Sequence, residues 1–454
     1  MMPGVSLICS RIVIFYMYIG ICYVNRDMLC IKLENDKYMI DRALIIGKML
    51  RTATVAFGLL CYCTAAWAMQ TSAVSDLHNE KPGLARHVGG NSTYSGKLDK
   101  KSIREVCDAV SSWQIDHFDK QPLGNKCFIA DYQVHWSSGV LYAGMSRWAS
   151  YSSDERIFDF LKGIGEANDW KLYSGRTPYH ADDICVGQMY VDMYGRYHDS
   201  KMLEATLDRA LYVASNPSHA ALSKRDKAGK HDRWSWCDAL FMAPPVYASL
   251  YRITENETFK NYLDSEFREC VDSLYDRNVH LFFRDCKRRE VREPNGKGEY
   301  WARGNAWVLA GIALTLDNLP ADYDGREYFE NIFKEMAAAV VKCQGKDGCW
   351  RPSMMDPDHF PTPETSSTSL FCFSLAYGIN HGILSEREYL PIVKKSWKAL
   401  CSHVHADGKL GFAQPIGAFP QSGITENDTA VYAVGGFLMA GAEISRLIDS
   451  RKRQ

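Results

Sequence analysis

Ala306-Trp-Val-Leu-Ala-Gly-Ile-Ala-Leu-Thr-Leu316 contains no charged residue, and neither does Tyr432-Ala-Val-Gly-Gly-Phe-Leu-Met-Ala-Gly-Ala442. Each run is long enough for about three helical turns. A helix that is apolar on every face must be enclosed by protein. The two runs belong to segments at roughly 304–317 and 428–446, and four more segments share their character: 137–149, 183–197, 238–251 and 366–381. Between them lie amphipathic segments at roughly 102–115, 154–167, 200–215, 257–275, 324–342 and 386–403. In Asp324–Val340, for example, Tyr328, Ile332, Phe333, Met336 and Val340 form an apolar stripe, and Arg326, Glu330, Lys334 and Glu335 face outward. Six enclosed helices alternating with six amphipathic ones predict two concentric rings, an all-α (α/α)6 barrel. The enclosed segments recur about every 45–65 residues, a loose repeat of helical hairpins. No Pro/Ser-rich linker breaks the series, so residues 101–454 read as a single domain.

The ends of the chain read differently. Met49-Leu-Arg51, the apolar stretch from Thr52 and the Ala66-Trp67-Ala68 site have the form of a cleaved signal peptide over 49–68. Residues 1–48 then read as an over-extended N-terminus, with the uncharged Ile12–Tyr23 as a rival membrane anchor. Residues 69–100 are a polar linker or arm. The expectation is an exported protein, periplasmic or secreted, with no permanent membrane span in the mature chain.

Composition narrows the function classes. The 454 residues carry a net charge of −1, so no global field attracts nucleic acid or an anionic membrane. Aromatic residues make up 12%, a generous share that suits carbohydrate handling and large helical cores alike. Of 15 cysteines, five (Cys9, Cys22, Cys30, Cys61 and Cys63) fall in the leader. The other ten show no zinc-like spacing. A pair such as Cys343–Cys349 is left open. No metal site, cofactor motif or catalytic thiol is read.

Polar clusters open the enclosed segments: Trp136-Ser-Ser-Gly139, His180-Ala-Asp182-Asp183, Trp236-Cys-Asp238, Trp301-Ala-Arg303-Gly304-Asn305, Pro363-Glu-Thr-Ser-Ser367 and Thr425-Glu-Asn-Asp428. Inner helices of a toroid run parallel, so these starts are expected to surround one end of the barrel, where the helix dipoles favour an anionic ligand. Capping accounts equally well for Ser, Thr and Asp at helix starts, and Thr365 and Ser366 are read that way. Asp238 is read as functional. It follows Trp234 and Trp236, and a carboxylate flanked by indoles suits a sugar ring that must be stacked, desolvated and protonated.

At these motifs the sequence resembles glycoside hydrolase family 105, the unsaturated rhamnogalacturonyl hydrolases, and more distantly the unsaturated glucuronyl hydrolases. The resemblance runs from about Trp136 to the C-terminus. It rests on His180-Ala-Asp-Asp-Ile-Cys-Val-Gly-Gln188, Trp236-Cys-Asp-Ala-Leu-Phe-Met-Ala-Pro-Pro245, Trp301-Ala-Arg-Gly-Asn-Ala-Trp307 and Asp347-Gly-Cys-Trp-Arg351. Pro363-Glu-Thr-Ser-Ser-Thr368 and Ala376-Tyr-Gly-Ile-Asn-His-Gly382 extend it.

The resemblance implies the same barrel and a hydrolase for oligosaccharides that end in a 4,5-unsaturated uronate. In that chemistry an aspartic acid protonates C4 of the enol ether, water adds at C5, and the hemiketal opens to expel the remaining sugar. Asp238 matches the general acid/base. The partner carboxylate is Asp183 or Asp182; spacing favours Asp183, with Asp182 as helix cap. The resemblance assigns substrate binding to Arg303, for carboxylate or ring oxygens, and to Trp136, Trp236 and Trp307 as stacking walls. Met242 lines the acid, His180 belongs to the first motif, and Trp350 is a candidate for the neighbouring sugar or for packing. Arg284 stands where some relatives have a histidine, which bears on substrate preference. A conventional two-carboxylate glycosidase and a non-catalytic glycan-binding protein are the alternatives.

Overall fold

The computed structural model describes residues 94–120, 133–222 and 232–451, all within one compact unit, Val88–Gln454. The signal peptide, the over-extended N-terminus and most of the 69–100 arm lie outside the described residues. In the described end of that arm, the Tyr94 hydroxyl donates to the Ala406 carbonyl at 3.2 Å, and Leu98 packs on the core.

The helices come in pairs. α1 (Lys100–His117) precedes α2 (Trp136–Ala149), and α3 (Arg156–Ala167) precedes α4 (Gly187–Tyr197). α5 (Lys201–Ser215) precedes a single turn, α6 (Ala239–Met242), and α7 (Pro244–Thr254). α8 (Glu257–Leu274) leads to α9 (Ala302–Asn318), α10 (Arg326–Val340) to α11 (Thr365–Asn380), and α12 (Glu386–Ser402) to α13 (Val431–Arg451). The second helix of each pair packs on the next in the order α2, α4, α7, α9, α11, α13, and α13 returns to α2. That closed inner ring is sheathed by α1, α3, α5, α8, α10 and α12, each against its own inner neighbour or neighbours. The protein is an (α/α)6 barrel.

Burial follows the charge pattern. Every residue from Ala302 to Leu316 and from Thr365 to Ile379 is buried, whereas α10 buries one stripe and exposes Lys334 and Glu335. α13 is long and apolar enough to cross a membrane, but it is enclosed in the barrel wall. It crosses α2 so closely that a Cβ on Gly144 would collide with the Gly435 carbonyl, and one on Gly435 with the Val140 carbonyl.

Several local expectations are corrected. The 238–251 segment is two helices, because Pro244 and Pro245 lack the N–H needed to carry the hydrogen-bond ladder across. α4 starts at Gly187 rather than 183, after a separate turn, Ala181–Ile184, which His180 caps by accepting from Asp182 N at 3.3 Å. The cap of α11 is Glu364, not Thr365 or Ser366: its carboxylate accepts from Ser366 N at 3.0 Å, Ser367 N at 2.7 Å and Gln414 N at 3.0 Å. A short hairpin, β1 (Tyr275–Asp276) with β2 (Leu281–Phe282), was not anticipated. Cys343 and Cys349 are both free thiols, so that open pairing is not made.

Candidate active site

Asp238 stands directly before α6, and its neighbours are fixed by two pieces of backbone. Trp236 bridges antiparallel to Asp285, and Cys237 N donates to the Arg284 carbonyl at 2.9 Å. From behind, Arg233 Nε donates to Glu266 at 2.6 and 2.8 Å, which anchors the chain entering this segment. The result sets Arg284 Nε 3.3 Å from Asp238 Oδ2, while Arg284 Nη1 donates to Asp285 at 2.7 Å. Asp238 is only 8% exposed. Burial raises its pKa above the usual carboxylate range; Arg284 opposes this, and the charge of Asp182 adds to it.

The second carboxylate group forms on the turn before α4. Asp183 has no exposed side-chain surface and is ion-paired to Arg176. Its Oδ2 has no partner among the described residues. Burial pushes Asp183 up to about 7 against the pull of Arg176. Asp182, whose side chain keeps 14% exposure, lies 3.4 Å from Arg176 Nη1 and 3.9 Å from His180 Nδ1. Its pKa is also raised by burial, and it acts on Asp238. The structure thus favours Asp182 over Asp183 as the partner: the charge of Asp182 acts on Asp238, while Asp183 is buried against Arg176. Burial lowers His180 to about 3 and His135 to about 4, so both imidazoles are neutral at neutral pH.

The aromatic residues converge as expected, though unequally. The half-buried Trp136, first residue of α2, stacks on Tyr432 at 5.5 Å and meets Trp307 edge-on at 6.1 Å. Trp307 in turn packs on Phe241 at 4.9 Å, and Trp236 lies 5.0 Å from the His180 ring. Trp236, Trp307 and Met242 are almost fully buried, so Trp136 offers the accessible ring face. Trp350 is not brought to the site: it is fully buried on Phe371, with Nε1 donating to the Val340 carbonyl at 2.7 Å. The structure gives Trp350 the packing role.

Arg303 has a different task from the one the resemblance implies. Its guanidinium is 1% exposed and sits between the Trp301 and Tyr432 rings. It donates to the Gln414 and Pro415 carbonyls at 2.6 and 2.8 Å. Tyr432 Oη also donates to the Gln414 carbonyl, at 2.5 Å. Arg303 therefore clamps the 414–415 loop over the barrel end, and its field still lowers Asp238. Asn305 performs a matching task, holding Phe282 N at 2.7 Å and the Phe282 and Trp301 carbonyls at 3.1 and 3.0 Å.

Sequence reasoning missed Arg176, His135 and the 414–415 loop. Arg176 lies in a loop without periodicity, and its one cue is its place shortly before the two aspartates. Among the described residues no group of His, Cys, Asp or Glu is placed to hold a metal ion.

Three carboxyls with raised pKa, neutral imidazoles and guanidiniums, set with aromatic rings at one end of an (α/α)6 barrel, define a glycan-cleaving class of site. The comparisons agree. Residues 106–448 match the family described as Glycosyl Hydrolase Family 88. An unsaturated 3S-rhamnoglycuronyl hydrolase from Formosa agariphila is 36% identical over 323 residues, which are 69% of this chain and 84% of that protein. A glycosyl hydrolase family 88 structure from Bacteroides vulgatus is 29% identical with a TM-score of 0.67, covering 76% of this chain and 99% of its own. A structure described as a polysaccharide lyase is 30% identical with a TM-score of 0.68, covering 77% and 98%. The chain belongs to glycosyl hydrolase family 88.

Proposed function

We propose that this glycoside hydrolase removes a 4,5-unsaturated uronate from the non-reducing end of lyase-generated oligosaccharides, with Asp238 as the general acid. The observation that carries the reading is the state of Asp238. It is a nearly buried carboxyl at the start of the single turn α6, which leads into the inner helix α7; burial and Asp182 raise its pKa, and Arg284 sits on one oxygen. An enol ether needs a proton at C4 before water can add at C5, and a carboxyl whose pKa is raised by burial is suited to supply it. In this reading Asp182, which keeps an exposed edge, accepts a proton from the water; its raised pKa and its action on Asp238 support the assignment. The face of Trp136 receives the sugar ring. Neutral His135, whose Nδ1 is paired with Ser137 Oγ at 3.0 Å, hydrogen-bonds a hydroxyl through Nε2 without adding charge, while His180 holds Asp182 N and Arg176. The name of the Formosa agariphila relative, an unsaturated 3S-rhamnoglycuronyl hydrolase, supports a terminal unsaturated uronate linked to rhamnose, and the sequence resemblance adds rhamnogalacturonan fragments as a class of substrate. A leader cleaved after Ala68 would place the enzyme outside the cytoplasm with such fragments.

The test is the ultraviolet absorbance of an unsaturated uronyl-rhamnose disaccharide. Wild type removes it, and Asp238→Asn does so about 10²–10⁴-fold more slowly, the range for loss of a general acid. Turnover of saturated glycosides alone would make the protein a conventional glycosidase. A rise in absorbance from intact polymer would make it a lyase.

A further inference from the structure

A cavity of about 810 Å3 opens in the barrel wall between the β1–β2 turn, the C-terminal end of α10 and the segment from Arg351 to Pro361. Leu281, Ala339 and Met354 are buried there and give it an apolar floor. Its rim is cationic. Lys297, Lys342, Lys346 and Arg351 face it, against two carboxylates, Glu335 and Asp358. The chain carries −1 overall, so this excess is local.

Three of those cations are uncommitted. Arg351 is tied to Asp347 at 2.9 Å, and Glu335 is occupied by Tyr275 Oη at 2.7 Å and by His280 at 3.3 Å. Lys297, Lys342 and Lys346 are exposed and have no ion-pair partner among the described residues. They come from two separate segments and converge: burial pushes the Cys343 thiol up to about 11, and both Lys297 and Lys342 pull it back.

We propose that this hollow is a second, non-catalytic site that binds an acidic polysaccharide chain through its carboxylate or sulfate groups. The inference rests on the proposed function for its choice of ligand. A uronate-bearing glycan presents apolar C–H faces and regularly spaced anions, which match an apolar floor with a lysine rim. The site is physically joined to the catalytic end. Leu281 lines the hollow, and Arg284, later in the same short segment, reaches Asp238. Holding a long chain here raises the local concentration of its ends near the acid.

The test compares wild type with Lys297→Gln/Lys342→Gln/Lys346→Gln and with the corresponding triple arginine variant, by native electrophoresis in gels containing rhamnogalacturonan, a sulfated rhamnose–uronate polymer or neutral dextran. Wild type and the arginine variant should be retarded by at least one acidic polymer and not by dextran. The glutamine variant should bind about five-fold or more weakly, and the wild-type retardation should fade as salt screens it. Disaccharide turnover should remain equal in all three. Equal retardation of wild type and glutamine variant, retardation by dextran, or none by either acidic polymer would overturn the site. Failure of disaccharide turnover in wild type would instead overturn the proposed reaction, and the gel result would stand apart from it.

Discussion

Asp238 is governed by burial, by Arg284, which lowers its pKa, and by Asp182, which raises it. A general acid works while protonated, so kcat falls as pH rises through its pKa. Arg284→Gln removes a lowering influence, and the alkaline limb of the kcat profile should move to higher pH. An unmoved limb, or one moved downward, would show that Arg284 does not tune the acid. The paired aspartates should separate cleanly. Asp182→Asn should cost about 10²-fold or more in kcat with little change in melting, as expected for a group acting on the reacting water. Asp183→Asn should chiefly lower the melting temperature, because the partly buried Arg176 loses one of its two carboxylate partners and keeps only Asp182. Rates and thermal melts on both variants decide this, and equal effects would contradict it. At this scale the sequence singled out residues that the structure gathers at the inner-helix starts, but not their directions. Asp238, Trp136 and His180 stand out because residue type and motif select them. Trp350 and Met242 carry the same chemical signal, but a sequence does not show which way a side chain points, and both point into the core.

At the scale of elements, the Trp301–Trp307 motif is mainly a clamp. Gly304 leaves room for the Trp301 ring and the Cys237 thiol, Arg303 holds the 414–415 loop, and Asn305 ties β2 to the first turn of α9. Asn305→Ala removes three buried hydrogen bonds and strands the Phe282 backbone, a loss of about 2–4 kcal/mol in stability by denaturant titration. A change below about 0.5 kcal/mol would show that water replaces the amide. Where sequence misjudged elements, the reasons are local. The Pro244-Pro245 break was hidden inside an apolar run whose pattern continues through it. Glu is a poor cap by propensity, so Thr365 and Ser366 drew attention away from Glu364. Strands as short as β1 and β2 carry no alternation to read.

The whole molecule was the most legible scale, because closure of the inner ring is written as helices with long apolar runs, such as Ala306–Leu316 and Tyr432–Ala442, that have nowhere to go but inside. Its response to pH reflects what that interior holds. Glu293, 6% exposed, accepts from Ser353 Oγ at 2.5 Å and is pushed by burial to about 7. A carboxyl raised in the folded state contributes stability that is present below its unfolded pKa and lost as pH rises through about 7. His135 and His180, lowered to about 4 and about 3, work in the opposite sense: their contribution is present above the unfolded histidine pKa and lost as pH falls toward those values. Glu293→Gln should therefore melt higher than wild type at about pH 8.5, by about 1–3 kcal/mol, and show much less advantage at pH 5. Equal melting at the alkaline pH would mean that the site ionises without penalty.

The most direct test of the catalytic assignment is a proton NMR time course on the unsaturated uronyl-rhamnose disaccharide with wild type and Asp238→Asn. Hydration of the enol ether predicts that the vinyl proton signal disappears no later than free rhamnose appears with wild type, and that both change only slowly with Asp238→Asn. Release of rhamnose ahead of any loss of the vinyl signal would place the cleavage at the acetal carbon and contradict the assignment.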